Sequence, residues 1–217
     1  MPARFRENHF IWMTVALVGM LLAGAFSREV PGNFSLRLME YSSIVLLLLS
    51  LVSVKTDFTW IKRFAVVIAL LLATVVSREA TKLPFFEYSY LFLLLVFLLM
   101  AAWLVASQVL LTGSVDLNKI IGAIALYLLL GLIWAIFYVF VLEWQPDALR
   151  GVEPAAWYDN LPITTYFSFV TLTTLGYGDI SPARPLSQVL VILEAVAGMF
   201  YLAVIVASLI GSLHRNR

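Results

Sequence analysis

The sequence has no cysteine and little charge. Without cysteine, the chain cannot form disulfides or thiolate metal sites. Charged residues make up 12% of its 217 residues, whereas hydrophobic residues make up 62%; a soluble domain carries roughly 25% charged residues. The formal net charge of +1 gives no strong field that would attract nucleic acid. We therefore predict an integral membrane protein that contacts lipid and has no nucleic-acid partner.

Groups that commonly carry catalysis are also scarce. The two histidines, His9 and His214, lie near opposite ends of the chain, so a histidine metal cluster within one chain is not expected. The sequence shows no nucleophile placed with a base and no cluster of metal ligands. We expect no enzyme activity, no cofactor and no small-molecule substrate.

Six apolar stretches, some completed by their polar flanks, approach or exceed the ~20 residues that a helix needs to cross a bilayer. They are residues 10–26, 36–54, 58–76, 88–112, 120–142 and 186–213. The first stretch also resembles the apolar core of a signal peptide, but its 17 residues exceed the usual length of about 7–15. We expect it to remain as a helix, which predicts an all-α membrane protein with six spans.

Basic residues in the short connections favour one orientation. If both termini are cytoplasmic, eight of the 14 Lys and Arg residues lie on the inner side. Most acidic residues then lie outside, where their potential would attract cations. We predict a multi-pass protein of the plasma membrane, the cell inner membrane if the source is bacterial, with both termini cytoplasmic.

A short repeat occurs in the first half of the chain. Two similar pairs of tripeptides carry it: Ser27-Arg28-Glu29 with Ser77-Arg78-Glu79, and Glu40-Tyr41-Ser42 with Glu87-Tyr88-Ser89. Duplication of a helical hairpin, closed at each Ser-Arg-Glu, would explain the recurrence. Chance similarity between two loops would explain it equally well, and the sequence leaves both interpretations open.

The most irregular stretch is residues 171–179, Thr-Leu-Thr-Thr-Leu-Gly-Tyr-Gly-Asp. Two closely spaced glycines favour neither helix nor strand, and irregular backbone at membrane depth survives only where protein buries it or water reaches it. Gly176 and Gly178 can adopt the alternating backbone hands that turn successive carbonyls toward one side, and Thr174 adds a hydroxyl oxygen. We therefore predict that this stretch binds ions.

The segment before it is too short to span. Asp159 or Asn160 is a candidate N-cap, and Pro162 suits the first turn of a helix. These signals predict a re-entrant half-helix that begins at residue 161. Its negative carboxyl end would favour a cation at the centre of the membrane.

These residues together resemble the pore module of potassium channels. The similarity covers about residues 119–213 and comprises the nine-residue stretch, the aromatic-rich half-helix before it and a span with a glycine near its middle after it. It implies a homotetramer that conducts potassium passively and selectively. It also implies that potassium is held by carbonyls of the filter, whose ion-binding residues are Thr174, Leu175, Gly176, Tyr177 and Gly178, and by the Thr174 hydroxyl.

The resemblance divides the chain into two parts. A pore domain, residues 114–217, has an outer helix at about 117–142, a turret at 143–160, a pore helix at 161–173, a filter at 174–179 and an inner helix at 186–213. Residues 1–113 correspond to a four-span, voltage-sensor-like peripheral bundle, but stretch 88–112 lacks the arginines of a voltage sensor. Four residues follow Leu213, so no cytoplasmic regulatory domain is expected.

Three positions depart from the commonest family pattern. Leu175 stands where valine is usual, and Val170 stands where some bacterial members carry a buried glutamate. Tyr166 replaces a frequent tryptophan that hydrogen-bonds the aspartate after the filter. We predict that Tyr166 bonds Asp179 in its place and that Thr173 also supports the filter.

The last span carries an acid and a possible gate. Glu194 is predicted to bond a hydroxyl of Thr164, Thr165 or Ser168 behind the filter; a proton sensor or ion site is the alternative. Gly198 matches the hinge glycine of the family. The positions that match its cavity lining, where an apolar ring could close a pore by dewetting, are Met199, Leu202, Val206 and Ile210.

Two other functions remain compatible with the sequence. The chain could be a nonconducting or modulatory subunit that assembles with other channel chains. It could also be a weakly selective cation channel, because Leu175 alters the packing behind the filter.

Overall fold

The structure, a computed structural model, describes residues 9–29, 38, 41–46, 49, 58–81, 83–110 and 117–206. Helices dominate these ranges: α1 His9–Glu29, α2 Phe58–Thr81, α3 Pro84–Leu110, α4 Leu117–Trp144, α5 Trp157–Leu172 and α6 Pro185–Phe200, which continues as a π-helix at Tyr201–Val206. Residues 41–46 are also helical. Two short strands, β1 Leu149–Arg150 and β2 Ser181–Pro182, complete the fold.

Five of the described helices are long and apolar enough to cross a membrane. Their apolar windows are Phe10–Ser27, Thr59–Thr81, Pro84–Val109, Leu117–Trp144 and Pro185–Ala203. The chain is thus a mostly helical, multi-pass membrane protein. The predicted second span, residues 36–54, lies largely outside the described residues, so the total of six spans remains a prediction.

The first and third spans end later than predicted. Helix α1 continues to Glu29 and α2 to Thr81, so both Ser-Arg-Glu repeats form helical turns and do not close their hairpins as loops. Arginine, glutamate and alanine are good helix formers, and a change to polar composition therefore does not stop a helix. The Thr81 hydroxyl also donates to the Ser77 carbonyl at 2.8 Å. The hairpin duplication stays open, because the second span lies mostly outside the described residues.

Helices α1 and α3 pack directly against α4 of the same chain, whereas α2 packs against α3. Helix α2 lies on α3, where the Phe64 and Phe97 rings meet edge to face with centroids 5.2 Å apart, and α3 and α1 both lie on α4. Lipid is as apolar as these side chains, so close packing stabilises the contacts more than escape from water does. At Gly122, an added Cβ would come within 2.8 Å of both Phe10 and Val109, so a small residue permits this close approach.

The half-helix α5 begins earlier than predicted. It starts at Trp157 after Ala156, which is extended and provides no side-chain cap, so the predicted caps Asp159 and Asn160 lie inside the helix. Trp157 is buried and its ring lies 5.5 Å from that of Tyr90 in α3. Burial of this tryptophan against another span adds a turn that the local cap signals do not show. The helix ends at Leu172, one residue before the predicted end.

The predicted turret is more ordered than a loop. Strand β1 pairs antiparallel with β2, with Leu149 opposite Pro182 and Arg150 opposite Ser181. The residues before α5 are thereby joined to the residues after the filter. The segment between the two strands, which contains α5 and the predicted filter, is therefore tied together at both ends.

Helix α4 has nearly the bounds predicted for the outer helix, and α6 begins near the start predicted for the inner helix. Helix α4 begins at Leu117 as expected and ends two residues after the predicted 142. Helix α6 begins at Pro185, one residue before the predicted 186, but its α-helical geometry ends at Phe200 and gives way to the π-helix. The end of the predicted inner helix, residues 207–213, lies outside the described residues.

Candidate functional site

The backbone alternates in hand along the predicted filter. Thr174, Gly176 and Gly178 have positive φ angles of 59°, 59° and 80°, whereas Leu175 and Tyr177 between them do not. Such alternation turns successive carbonyls toward the same side. The glycines were expected to permit it, but Thr174 was not singled out for this conformation. A β-branched residue at positive φ is uncommon and costs on the order of 1–3 kcal/mol.

Hydrogen bonds to the end of α5 hold the filter amides. The Leu175 N–H donates to the Val170 carbonyl at 2.9 Å, and the Gly176 N–H lies 3.4 Å from the same oxygen. The Thr174 N–H donates to the Thr171 carbonyl at 2.9 Å. All residues from 173 to 179 are exposed, and none of the described residues donates to the carbonyls of residues 174–177. Their oxygens are therefore available to a ligand.

Thr173 lies at the junction of α5 and the filter. Its N–H donates to the Phe169 carbonyl at 3.1 Å, and its hydroxyl donates to the same carbonyl at 2.6 Å. Both donors satisfy a carbonyl at the end of a helix, where carbonyls lack helical partners. This geometry fits the predicted support of the filter by Thr173.

The predicted hydrogen bond at the outer end of the filter is present. The Tyr166 hydroxyl donates to Asp179 Oδ2 at 2.7 Å. Tyr166 lies in the middle of α5 and Asp179 follows Gly178, so the bond joins α5 to the residues after the predicted filter. Both side chains are exposed within a single chain.

A second set of contacts outside the filter was not predicted. Arg184 forms an ion pair with Asp147, with Nε 3.0 Å from Oδ2. The guanidinium holds the pKa of the Asp147 carboxyl below its usual range. The Ala148 carbonyl accepts from the Ser187 hydroxyl at 2.7 Å and from the Ala183 N–H at 2.8 Å. We call Asp147, Ala148, Ala183, Arg184 and Ser187 the outer clamp, because they join the turret to the start of α6.

The acid of the last span lies in a buried network behind the filter. Glu194 is 0% exposed. The Tyr138 hydroxyl donates to its Oε2 at 2.5 Å, and the Ser168 Oγ lies 2.5 Å from its Oε1 and 2.7 Å from the Gly131 carbonyl oxygen. The predicted contact with Ser168 is thus present. The network joins α4, α5 and α6.

The other two candidate hydroxyls bond elsewhere. Those of Thr164 and Thr165 both donate to the Leu161 carbonyl, at 3.1 and 2.6 Å. Tyr138 was missed as a partner of Glu194, although a tyrosine in an otherwise apolar helix could have indicated a buried hydrogen bond. Which side of α4 faced α6 could not be known without the fold.

Gly198 lies at a close contact between α6 and α5. It is buried, and an added Cβ would collide with the Leu172 carbonyl oxygen and lie 3.2 Å from the Leu172 Cα. The family hinge proposed for this glycine stays a prediction. Of the predicted gate residues, Met199 and Leu202 are exposed, Val206 ends the π-helix, and Ile210 lies outside the described residues.

Within the described ranges, no group of three or more His, Asp or Glu side chains could hold a metal ion. The oxygens available to a cation at the predicted filter include its carbonyls and the Thr174 hydroxyl. Backbone carbonyls suit ions that are bound weakly enough to pass on.

Comparisons with known proteins match the second half of the chain. Residues 123–214 match the model of a family described as Ion channel. The chain is 38% identical over 85 residues to the inward rectifier potassium channel Kirbac3.1 of Paramagnetospirillum magnetotacticum, a match that covers 39% of this chain and 26% of that protein. The chain therefore matches about a quarter of the length of this curated relative. No solved structure matches.

Proposed function

We propose that the protein is a potassium-selective channel that conducts ions passively through a tetrameric pore. The observation that carries the proposal is the alternating backbone of residues 174–178, which follows a half-helix and leaves its carbonyls available. The segment lies within the residues that match the ion channel family. The named relative, a potassium channel, supports potassium as the ion.

The filter chemistry follows from the cost of removing water from an ion. A bare cation in hydrocarbon is prohibitively unstable, so fixed oxygens must replace its water shell. The carbonyls of Thr174, Leu175, Gly176 and Tyr177, with the Thr174 hydroxyl, provide such oxygens. One chain contributes one filter segment, so four copies around an axis complete each ring of ligands.

The surface of α6 supports assembly into a tetramer. Among its residues only Ser187, Glu194 and Gly198 are buried. The large apolar side chains that the helix leaves exposed in a single chain are Leu186, Val189, Ile192, Leu193, Val196, Met199 and Phe200. In the tetramer this surface packs on neighbouring copies and lines the inner cavity. Gly198 is the proposed hinge. The proposed apolar gate follows it and consists of Met199, Leu202, Val206 and Ile210.

The peripheral helices act without a charged voltage sensor. Helix α3 contains no lysine or arginine over its 27 residues. It therefore carries no row of basic side chains on which the transmembrane potential could act. We assign residues 1–113 to a peripheral bundle of four spans around the pore. The protein lies in the plasma membrane with both termini cytoplasmic.

The deciding experiment is the reversal potential of purified protein in planar bilayers under opposed potassium and sodium gradients. A reversal potential near that of potassium is expected. A value near zero would replace the proposal by a weakly selective cation channel, for which Leu175 is the specific reason. Absence of current from protein that is folded and tetrameric would favour a nonconducting subunit.

A further inference from the structure

We propose that Glu194 is held in its neutral, protonated form, and that its proton completes a hydrogen-bonded chain joining α4, α5 and α6 behind the filter. Glu194 would be a positioning residue, because it acts on the filter through Ser168. The structural part of this inference is independent of conduction. Its effect on current rests on the proposed function.

The first argument is a count of protons. The Ser168 hydroxyl has one proton but two close acceptors, Glu194 Oε1 at 2.5 Å and the Gly131 carbonyl at 2.7 Å. If Glu194 were ionised, Ser168 could donate to only one of them. Either the carboxylate or the carbonyl would then face the serine oxygen at hydrogen-bond distance with no proton between the two oxygens.

Protonation of Oε1 removes this conflict. The carboxyl then donates to Ser168 Oγ, and Ser168 donates to the Gly131 carbonyl. At the other end, the Tyr138 hydroxyl donates to Oε2. In this hydrogen-bonded chain, each hydroxyl proton has one acceptor. Each pair of oxygens at hydrogen-bond distance then has one proton between them.

The second argument is the surroundings of the carboxyl. Glu194 is fully buried, and a buried charge is stable only when it is paired and hydrogen-bonded. In the described part of α4, Tyr138 hydrogen-bonds the carboxyl and Tyr127 interacts with it electrostatically, and neither is a cation. From α5 it meets the Ser168 hydroxyl. No lysine or arginine of the described residues forms a salt bridge with it.

The network is placed to affect the filter. Ser168 lies two residues before Val170, whose carbonyl accepts a hydrogen bond from the Leu175 amide. Phe169, between them, packs against Gly131 of α4, where an added Cβ would come within 2.5 Å of the Phe169 ring. Loss of the proton would turn the serine hydroxyl from Gly131 to the carboxylate. The contact between α4 and α5 would weaken directly behind the filter amides.

Infrared spectroscopy of the purified protein tests the protonation state without any current. The wild type should show the carbonyl stretch of a protonated carboxylic acid at neutral pH, and Glu194→Gln should lack it. The matched control Glu153→Gln, at an exposed turret acid, should retain the band. Absence of a Glu194-dependent band from the folded wild type would overturn the inference.

A second variant keeps the test valid if Glu194→Gln does not fold. Tyr138→Phe removes the donor to Oε2 but leaves the proton on Oε1. The band should persist and move to higher frequency, because the carboxyl carbonyl loses a hydrogen bond. An unmoved band would assign the signal to another acid and contradict the inference.

Potassium flux across a range of pH tests the positioning role. The wild type should lose flux reversibly at alkaline pH, as the proton is removed. Glu194→Gln should stay flat over the same range, because its amide donates to Ser168 at every pH. An equal alkaline loss in both proteins would refute the role of Glu194. If neither protein conducts, the proposed function fails, while the infrared result still decides the protonation state.

Discussion

The backbone angle at Gly176 favours glycine in the predicted filter, which already carries the strain of Thr174 at a positive φ. The φ of Gly176 is 59°, a conformation that costs an L-residue with a Cβ roughly 1–2 kcal/mol. In a tetramer this cost arises four times around one pore. We expect Gly176→Ala to abolish selective potassium current or reduce it severely, as measured by reversal potential and conductance.

A matched glycine provides the control. Gly19 lies in α1, and an added Cβ there meets nothing within 4 Å, while alanine favours a helix over glycine by about 1 kcal/mol. Gly19→Ala should leave conduction unchanged and stability unchanged or higher. Normal selectivity in Gly176→Ala would contradict the proposal that the carbonyls of residues 174–177 bind the ion.

The hydroxyl of Tyr166 provides a second test on one side chain. Its bond to Asp179 joins α5 to the outer end of the filter, and such a bond contributes ~1 kcal/mol. Tyr166→Phe should shorten the time that the filter stays conductive during long recordings. Tyr158→Phe, in the same helix but without a hydrogen bond among the described residues, should behave as wild type. Equal decay in both variants would show that the Tyr166 bond does not support the filter.

The contact between α6 and α5 depends on Gly198. A Cβ at this position would collide with the Leu172 carbonyl, and backbone cannot move aside as a flexible side chain can. Overpacking of this kind costs about 1–3 kcal/mol. Gly198→Ala should lower the melting temperature of the assembled protein and change its conductance, whereas Gly19→Ala should not. An unchanged melting temperature would mean that the two helices separate without cost.

The outer clamp makes the turret sensitive to acid. Arg184 lowers the pKa of Asp147, so the ion pair contributes stability above the ordinary aspartate pKa of about 3.9, and this contribution is lost as pH falls through the lowered value. Asp147→Asn should lower the melting temperature slightly at neutral pH, because the pair is exposed. The difference from wild type should vanish in acid.

A charge exchange separates the pair from general effects of mutation. Asp147→Arg combined with Arg184→Asp should recover part of the stability that either single change removes. High salt should reduce the recovery, because exposed pairs are screened. Additive losses in the double variant would show that the pair makes no contribution.

At the scale of the whole molecule, the central prediction is that four chains form one pore. Native mass spectrometry in detergent should show a homotetramer, because a single chain leaves both α6 and the filter without partners. Potassium should raise its melting temperature relative to an ion that the filter does not bind, since a ligand of the native state stabilises it. A stable monomer with the same melting temperature in both salts would contradict the pore.

Tyr166 and Ser168 show how much of the site could be predicted from sequence. The contact of Tyr166 with Asp179 was predicted from the family pattern, and Ser168 was one of three hydroxyls offered to Glu194 because an acid inside a span needs a partner. The pair Asp147 and Arg184, 37 residues apart, carries no such signal. Its charges meet only because β1 pairs with β2 across the filter.

The sequence by itself indicated the long apolar helices of the second half, the shorter helix α5 and the irregular backbone that follows it, because composition and glycine spacing act locally along the chain. Only the tertiary structure decided that α5 starts at Trp157, that Thr174 takes a positive φ and that Tyr138 meets Glu194. These features depend on which faces of helices come together. That choice is made by packing between residues far apart in the chain, where local preference is outweighed.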